Sequence, residues 1–491
     1  MIKVLFIASE IEPLAKTGGL ADVIGVLPKK LNEIGCEVRV ILPYYKEVRK
    51  NLKRLKLKVK DLNRDVIVTI DWLPYKGRIK ETTVEGVKVY LLANDNFYDR
   101  DHLYTTPHGD YRDNDLRFGF FSIGALEIAK ALDFRPDIIH CNDWQSGLVP
   151  IALKWKKHYN NDLFFKNSKT VFTIHNISYQ GLFGKDLLDK FGLSHSLFNP
   201  EQLEFYGRVN LLKGGILTSD LVTTVSPTYA HEIQTKEYGY GLDGVLRAVA
   251  RSGRLAGILN GIDNEDWNPE TDRALYARYD SRDLAGKYEN KARLKNLLGF
   301  NTNGHVPLIG VISRLAHQKG IDLIVRALHR ILDLGAELVI LGTGDKGYER
   351  LLKQVSDDYV DNFRAVIGYN EAKARRIYAG SDMFLMPSRF EPCGLGQLIA
   401  LRYGAIPVVR ATGGLLDTII DYDENRDNAN GFIFDHFSEQ SMLNTIERAI
   451  TAYHNPPEWK RLVRNAMGQD FSWKRSSREY LAYYKDLFTG G

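Results

Sequence analysis

Cysteine is scarce: the 491 residues include three, Cys36, Cys141 and Cys393. An odd and scattered trio supplies neither a disulfide framework nor the paired spacing of a zinc site, so a reducing compartment, the cytoplasm, is expected and no metal is implied. No apolar run approaches the roughly 20 residues that span a bilayer. The opening Met1-Ile2-Lys3-Val4-Leu5-Phe6-Ile7-Ala8-Ser9-Glu10 reaches a carboxylate after one short apolar stretch, as a buried strand does and a signal peptide does not. Charge of one sign is lacking too: 66 Lys plus Arg face 61 Asp plus Glu, a net of +5, which points to no nucleic-acid or membrane partner. No solenoid repeat, low-complexity tract or Gly-x-Ser-x-Gly elbow is found. What is present, 44% hydrophobic and 26% charged residues with 42 Gly, is an ordinary globular mixture long enough for two large α/β units.

Short β-rich runs alternate with longer helical patterns. Lys3 to Ala8 precedes an amphipathic stretch from Leu20 to Ile34, and further strands are expected at Glu37 to Leu42, Val87 to Leu92, Asp137 to Cys141, Lys169 to Ile174 and Leu221 to Val225. A second series follows at Pro307 to Ser313, Ala336 to Leu341, Phe363 to Ile367, Asp382 to Met386 and Ile406 to Val409. This βαβ rhythm predicts an α/β fold of two doubly wound parallel sheets in series, with a hinge near Arg254 in a stretch of Gly, Asn, Pro and charge. The expected domains are residues 1–254, 255–465 and a terminal helical segment, 466–491. Open α/β sheets bind ligands at the carboxyl ends of their strands, so chemistry is expected between the two units.

Several polar and Gly-rich clusters follow strands directly. Lys16-Thr17-Gly18-Gly19-Leu20-Ala21-Asp22 leads into a helix, where backbone amides and a lysine could meet an anion; a plain strand-to-helix turn would look the same, and the dinucleotide G-x-G-x-x-G spacing is missing. Ser313-Arg314-Leu315-Ala316-His317-Gln318-Lys319-Gly320 places two cations at a strand end, able to surround a diphosphate or simply to be solvated. Phe390-Glu391-Pro392-Cys393-Gly394-Leu395 sets a carboxylate before a glycine-punctuated helix start; Glu391 could hold sugar hydroxyls or cap the helix, and Cys393 reads as a small packed residue. His140-Cys141-Asn142-Asp143-Trp144-Gln145 and Thr173-Ile174-His175-Asn176 lie just past strands, and placement alone does not separate catalytic from structural groups there.

Taken together, these motifs, with Ser226-Pro227-Thr228-Tyr229-Ala230, Tyr238-Gly239-Tyr240-Gly241-Leu242-Asp243-Gly244-Val245-Leu246, Asn260-Gly261-Ile262-Asp263 and the stretch from Arg402 to Leu415 containing Thr412-Gly413-Gly414, resemble the bacterial glycogen synthase and plant starch synthase family. The likeness runs in order over almost the whole chain. It implies a retaining glycosyltransferase of the two-Rossmann-domain type, GT-B, moving glucose from ADP-glucose to the non-reducing end of an α-1,4-glucan such as glycogen or a maltooligosaccharide, without a cofactor. It also implies that the final helix docks on the first domain.

Carried over by position, the resemblance implies that Lys16, Gly18 and Gly19 face the diphosphate and sugar, that Arg314 and Lys319 neutralise the phosphates, and that Glu391 holds glucose hydroxyls. Cys393, Gly394 and Leu395 would lie along the donor, with the Gly394-Leu395 amides on the distal phosphate, and Tyr369 would pack on the adenine. His175 and Asn260 match the family's sugar-contacting pair, Asp143 and Trp144 its acceptor-side acid and platform, and Tyr98 is expected to line the cleft. Gln145 and Gly396 depart from common family residues, which touches acceptor preference and local donor contacts rather than reaction class. Ile399 stands where a related Glu-x₇-Glu family carries its second glutamate. A UDP-glucose-using synthase and a non-catalytic glucan or nucleotide-sugar binding protein are the alternatives.

Overall fold

The computed structural model describes residues 1–106, 108–300 and 305–489. The chain divides into two units, Met1–Ile258 together with Trp473–Gly491, and Leu259–Ser472.

Among the described residues the main sheet of the first unit has nine strands: β1 (Lys3–Ile7), β2 (Glu37–Pro43), β3 (Lys60–Ile70), β4 (Leu73–Val84), β5 (Val87–Ala93), β6 (Ile138–Asn142), β7 (Lys169–Ile174), β8 (Leu221–Thr224) and β9 (Leu255–Gly257). Their order is β9-β8-β7-β6-β1-β2-β5-β4-β3, parallel except for β4, which runs antiparallel to both neighbours. The central strands are buried on both faces, β6 at every position including His140 and Asn142, which is why most of them read as short runs rich in apolar residues. The β3–β4 hairpin was not expected. Residues alternate buried and exposed along Asp65–Ile70, with Ile67 and Thr69 on the open face, as at a half-solvated sheet edge.

Leu255–Gly257 adds a further parallel strand beside Leu221–Thr224, so the first unit runs past the Arg254 hinge expected from sequence. The helix Gly19–Glu33 turns Leu20, Ile24, Leu27 and Leu31 inward, the i, i+4, i+7 spacing of a core-facing helix. The last helix, Trp473–Thr489, packs on it. The Tyr484 hydroxyl of that helix lies 2.7 Å from His140 Nδ1, and His140 Nε2 is 2.6 Å from Thr173 Oγ1.

The second unit has one sheet of six strands among the described residues: β10 (Leu308–Ile312), β11 (Glu337–Gly342), β12 (Phe363–Ile367), β13 (Met383–Met386), β14 (Ile406–Arg410) and β15 (Phe432–Phe434), all parallel in the order β12-β11-β10-β13-β14-β15. The helix Ala285–Leu298 was not expected from the sequence, and its buried face explains why. Lys287, Lys291 and Lys295, one turn apart, all point inward. Lys287 Nζ donates to the carbonyls of Ala379, Ser381 and Tyr403 at 3.1, 2.9 and 3.0 Å. Lys291 meets Asp382 at 2.6 Å and Lys295 meets Glu337 at 3.0 Å. Buried ammonium groups are tolerated because each is hydrogen-bonded or paired, but a hydrophobic pattern cannot reveal such a helix.

Both sheets are wound outward from a central strand. In the first unit the chain goes from β1 to β2 and then returns on the other side of β1 as β6; in the second it goes from β10 to β11 and β12 and returns as β13. Adjacent loops diverge at these reversals, leaving a crevice at the carboxyl ends of β1/β6 and of β10/β13.

Candidate active site

In the second unit the loop after β10 carries Arg314 and Lys319, and the loop after β13 carries Ser388, Glu391 and Gly394. The two groups lie 72 residues apart in sequence, yet Lys319 Nζ sits 2.6 and 2.9 Å from the two carboxylate oxygens of Glu391. Ser388 Oγ donates to Glu391 Oε2 at 2.9 Å. Glu391 is only 5% exposed, so its charge depends on these donors. Two glycines let the loops close on each other. Gly320, at φ +70°, packs so that a Cβ would strike the Pro387 carbonyl, and Gly413, at φ +43°, has its Cβ position against the Glu391 carbonyl. Gly414 N–H donates to that same carbonyl at 3.1 Å, which gives the Thr412-Gly413-Gly414 motif a physical role.

Lys319, Ser388, Glu391, Gly394 and Leu395 line a cavity of about 100 Å³. Arg314 is exposed, and its guanidinium has no hydrogen bond or ion pair among the described residues. Lys319 spends two donors on Glu391 and retains a third, while the Glu391 oxygens keep lone pairs for further donors. The crevice therefore offers an uncommitted guanidinium, an ammonium N–H and a fixed carboxylate acceptor. Asn260, buried in the same unit, holds its Oδ1 without a partner, and its backbone N–H reaches the Cys393 thiol, whose pKa burial pushes up to about 12. Cys393 is thus an inert packed thiol. Tyr369 follows β12 and is 70% exposed.

In the first unit the crevice beside β1 is organised by Glu10, which sequence reasoning treated only as the end of an apolar run. Its carboxylate accepts from Thr17 N–H and Thr17 Oγ1, both at 2.6 Å, from Gly18 N–H at 3.2 Å and from Tyr104 OH at 2.7 Å. The Gly18 amide expected to face an anion is thus engaged by an internal one. Lys16 is held by Asp22 at 2.6 Å and Glu12 at 3.4 Å, and space around Gly19 is open. The signal for Glu10 was its place directly after the first strand.

Across the same switch point Asp143 adopts φ +54°, a strained conformation for a non-glycine residue. Its Oδ1 accepts from the His175 N–H at 2.8 Å, which ties the loop after β6 to the loop after β7. Burial raises the Asp143 pKa to about 7 despite the backbone amides of His175 and Asn176. Burial lowers that of His175 to about 3, so its ring is neutral. His175 Nε2 lies 2.9 Å from Asn142 Oδ1; that oxygen only accepts, so the proton is on Nε2 and Nδ1 is left as an acceptor.

Two expected acceptor-side residues are buried in this structure. Tyr98 is 0% exposed, edge-on to Tyr45 and donating its hydroxyl to the Arg117 carbonyl at 3.1 Å; it is a core residue and lines no cleft. Trp144 is 8% exposed, with Phe118 and Phe183 at ring-centroid distances of 5.0 and 5.5 Å and Gly181 against the indole. The indole faces are therefore already covered, which leaves no open platform for a sugar. Of the remaining residues, the structure brings Lys319, Glu391, Gly394 and Leu395 together in the second unit, and Asp143 with His175 in the first. His175 and Asn260 belong to different units. Among the described residues no group of three or more His, Cys, Asp or Glu side chains is gathered to hold a metal ion, and no helix is long and apolar enough to cross a membrane.

Known proteins resemble the chain along its length. A family model described as the starch synthase catalytic domain matches residues 3–248, and one described as glycosyl transferases group 1 matches residues 299–468. A glycogen synthase from Geotalea daltonii is 48% identical over 484 residues, 99% of this chain and 98% of that protein. One from Thermosipho africanus is 45% identical over 486 residues, 98% of each. The catalytic domain of starch synthase IV from Arabidopsis thaliana, solved bound to ADP and acarbose, superposes with a TM-score of 0.90 at 38% identity, covering 99% of both chains. Sucrose-phosphate synthase from Thermosynechococcus elongatus, at a TM-score of 0.60 and 17% identity over 100% of both chains, shares the GT-B fold alone. The chain belongs to the glycogen and starch synthase family of glycosyltransferases.

Proposed function

We propose that the protein transfers glucose from ADP-glucose to the non-reducing 4-hydroxyl of an α-1,4-glucan with retention of configuration, releasing ADP in the cytoplasm. The observation that carries this reading is the second-unit switch point, where Glu391, fixed by Lys319 and Ser388, shares a cavity with Gly394 and Leu395, and where the loop that brings Lys319 also carries the unpaired Arg314. Breaking the bond between glucose C1 and the diphosphate oxygen leaves negative charge on that oxygen and positive character on C1. Arg314, the free Lys319 donor and the two amides are the groups suited to the first, and they lower the barrier because they are in place before charge develops. Glu391 is suited to accept from glucose hydroxyls, which orients the sugar and favours the developing positive charge.

As the C1–O bond breaks, a bond from C1 to the acceptor O4 forms on the same face, and the acceptor proton passes to the departing phosphate oxygen. That route needs no protein nucleophile and no protein base. The neutral His175 ring, presenting Nδ1 as an acceptor, is suited to receive a sugar hydroxyl from the first unit, as is the buried Oδ1 of Asn260 from the second. Lys16 supplies charge to the diphosphate once released from Asp22, and the exposed Tyr369 ring stacks on the adenine. Asp143 acts on the glucan through the loop that it holds at His175.

The test compares initial rates of ADP or UDP release from the two glucose nucleotides with one maltooligosaccharide, with product lengths read by chromatography and Glu391→Ala as control. Faster turnover of ADP-glucose, chains longer by single glucose units, and a silent Glu391→Ala variant are expected. Faster turnover of UDP-glucose would reverse the donor assignment, and binding without turnover would favour a non-catalytic glucan-binding protein.

A further inference from the structure

Away from the switch point, the second unit has a cavity of about 220 Å³ between the helix Ala285–Leu298, the edge strand β12 and the helix Glu371–Gly380. Its apolar lining is Leu294, Leu297, Leu298, Val366 and Ile377. Leu294, Leu298 and Ile377 belong to a small hydrophobic cluster distinct from the main core of this unit, whereas Leu297 is 57% exposed at the lip. Exposing a leucine beside an apolar hollow is unfavourable and is relieved when something apolar enters.

The remaining lining residues are all cations: Arg364, Lys373 and Arg376. Arg364 donates to the carbonyls of Leu298 and Val360, and Arg376 to that of Ala274. Among the described residues none of the three has a carboxylate partner, whereas Lys291, Lys295, Lys319, Arg375 and Arg389 of the same unit each have one. Residues 301–304, the neighbouring stretch of sequence, include no acid that could supply one. Lys373 and Arg376 are also i, i+3 neighbours on one helix, where like charges repel. Each arginine still has N–H groups to give, and Lys373 Nζ has three.

We propose that this cavity binds a small amphipathic anion, a carboxylate or phosphate head held by Lys373, Arg376 and Arg364 with a short apolar body between Leu294, Leu298, Val366 and Ile377. The volume is below the range of about 300–1,000 Å³ typical of sites for drug-sized ligands, so the body is short. Charge complementarity distinguishes this occupant from a neutral lipid chain or an apolar peptide, neither of which would use three uncompensated cations.

The test is calorimetric titration of the full-length protein with sodium octanoate, with octanol and octylamine as neutral and cationic counterparts. Saturable octanoate binding is expected, weakened at least tenfold by Lys373→Glu, an exposed position where folding is secure, and by Arg376→Gln, whose fold is checked by its melting temperature. Leu297→Glu, also exposed, is expected to weaken it through like charge at the lip. Octanol binding as tight as octanoate, octanoate binding unchanged in Lys373→Glu and Arg376→Gln, or no saturable binding at all would each overturn the proposal. None of these positions is among the donor-site residues, so glucosyl transfer should persist in all three variants.

Discussion

Replacing Lys319 with methionine keeps the length of the side chain and removes its charge, leaving Glu391, 5% exposed, with Ser388 as its remaining side-chain donor. Breaking a buried ion pair by deleting one member costs about 3–5 kcal/mol, because the surviving charge is stranded. For a unit of roughly 200 residues each kcal/mol lowers the melting temperature by about 2–4 °C, so a fall of about 6–20 °C is expected by calorimetry. Turnover should fall about 10²–10³-fold, the usual effect of removing one preorganised donor from a developing anion. Glu391→Gln in the Lys319→Met background removes the stranded charge; stability should recover by most of the loss while activity stays low. The reasoning is refuted if Lys319→Met melts within a degree of the parent, or if the second substitution adds to the destabilisation instead of reversing it.

Glu10→Gln offers the Lys16–Gly19 turn one acceptor oxygen in place of two, and losing a charged acceptor is worth about 1–3 kcal/mol; the KM for the sugar nucleotide should rise about tenfold, with partial rescue by Glu10→Asp, in steady-state kinetics. Tyr98→Phe should cost about 1–2 kcal/mol of stability in denaturant unfolding and leave the KM for maltooligosaccharide unchanged, as befits a core hydroxyl. His140 and His175, both lowered to about 3 by burial, lie below the usual unfolded value of about 6.5. Their contribution is intact above pH 6.5 and lost as pH falls towards 3, by about 2 kcal/mol each at pH 5. Asp143, raised to about 7, has the opposite sign: its contribution is present below about pH 4 and lost as pH rises through 7. Melting temperatures from pH 8 to 4 should therefore fall more steeply in Asp143→Asn than in the parent, and less steeply in His140→Gln.

The strands of both sheets were legible wherever both faces are buried, since β1 and β11 are apolar after their first residue and β6 opens on Ile138-Ile139. The hairpin of β3 and β4 was not, although Val66 to Ile70 is a β-branched run, because the rest of both strands is rich in charged and polar residues. The Ala285–Leu298 helix was hidden by lysines that turn inward to carbonyls and carboxylates. At the site, the residue types at strand ends were readable, but the Lys319–Glu391 pair was not: it arises because β10 and β13 are neighbours across a reversal of winding. Sequence position likewise could not tell Tyr98 and Trp144, closed in by aromatic neighbours, from aromatics open to a glucan. Glu10 escaped notice because a single carboxylate has no spacing to recognise, although its four donors define the turn that follows.

The central claim is that a diphosphate leaving group is received at the β10/β13 switch point of the second unit. A crystal structure of the protein soaked with ADP tests it most directly. The account predicts the two phosphates within hydrogen-bonding distance of Arg314, Lys319 and the Gly394-Leu395 amides; an ADP molecule bound elsewhere, with those groups untouched, would contradict it.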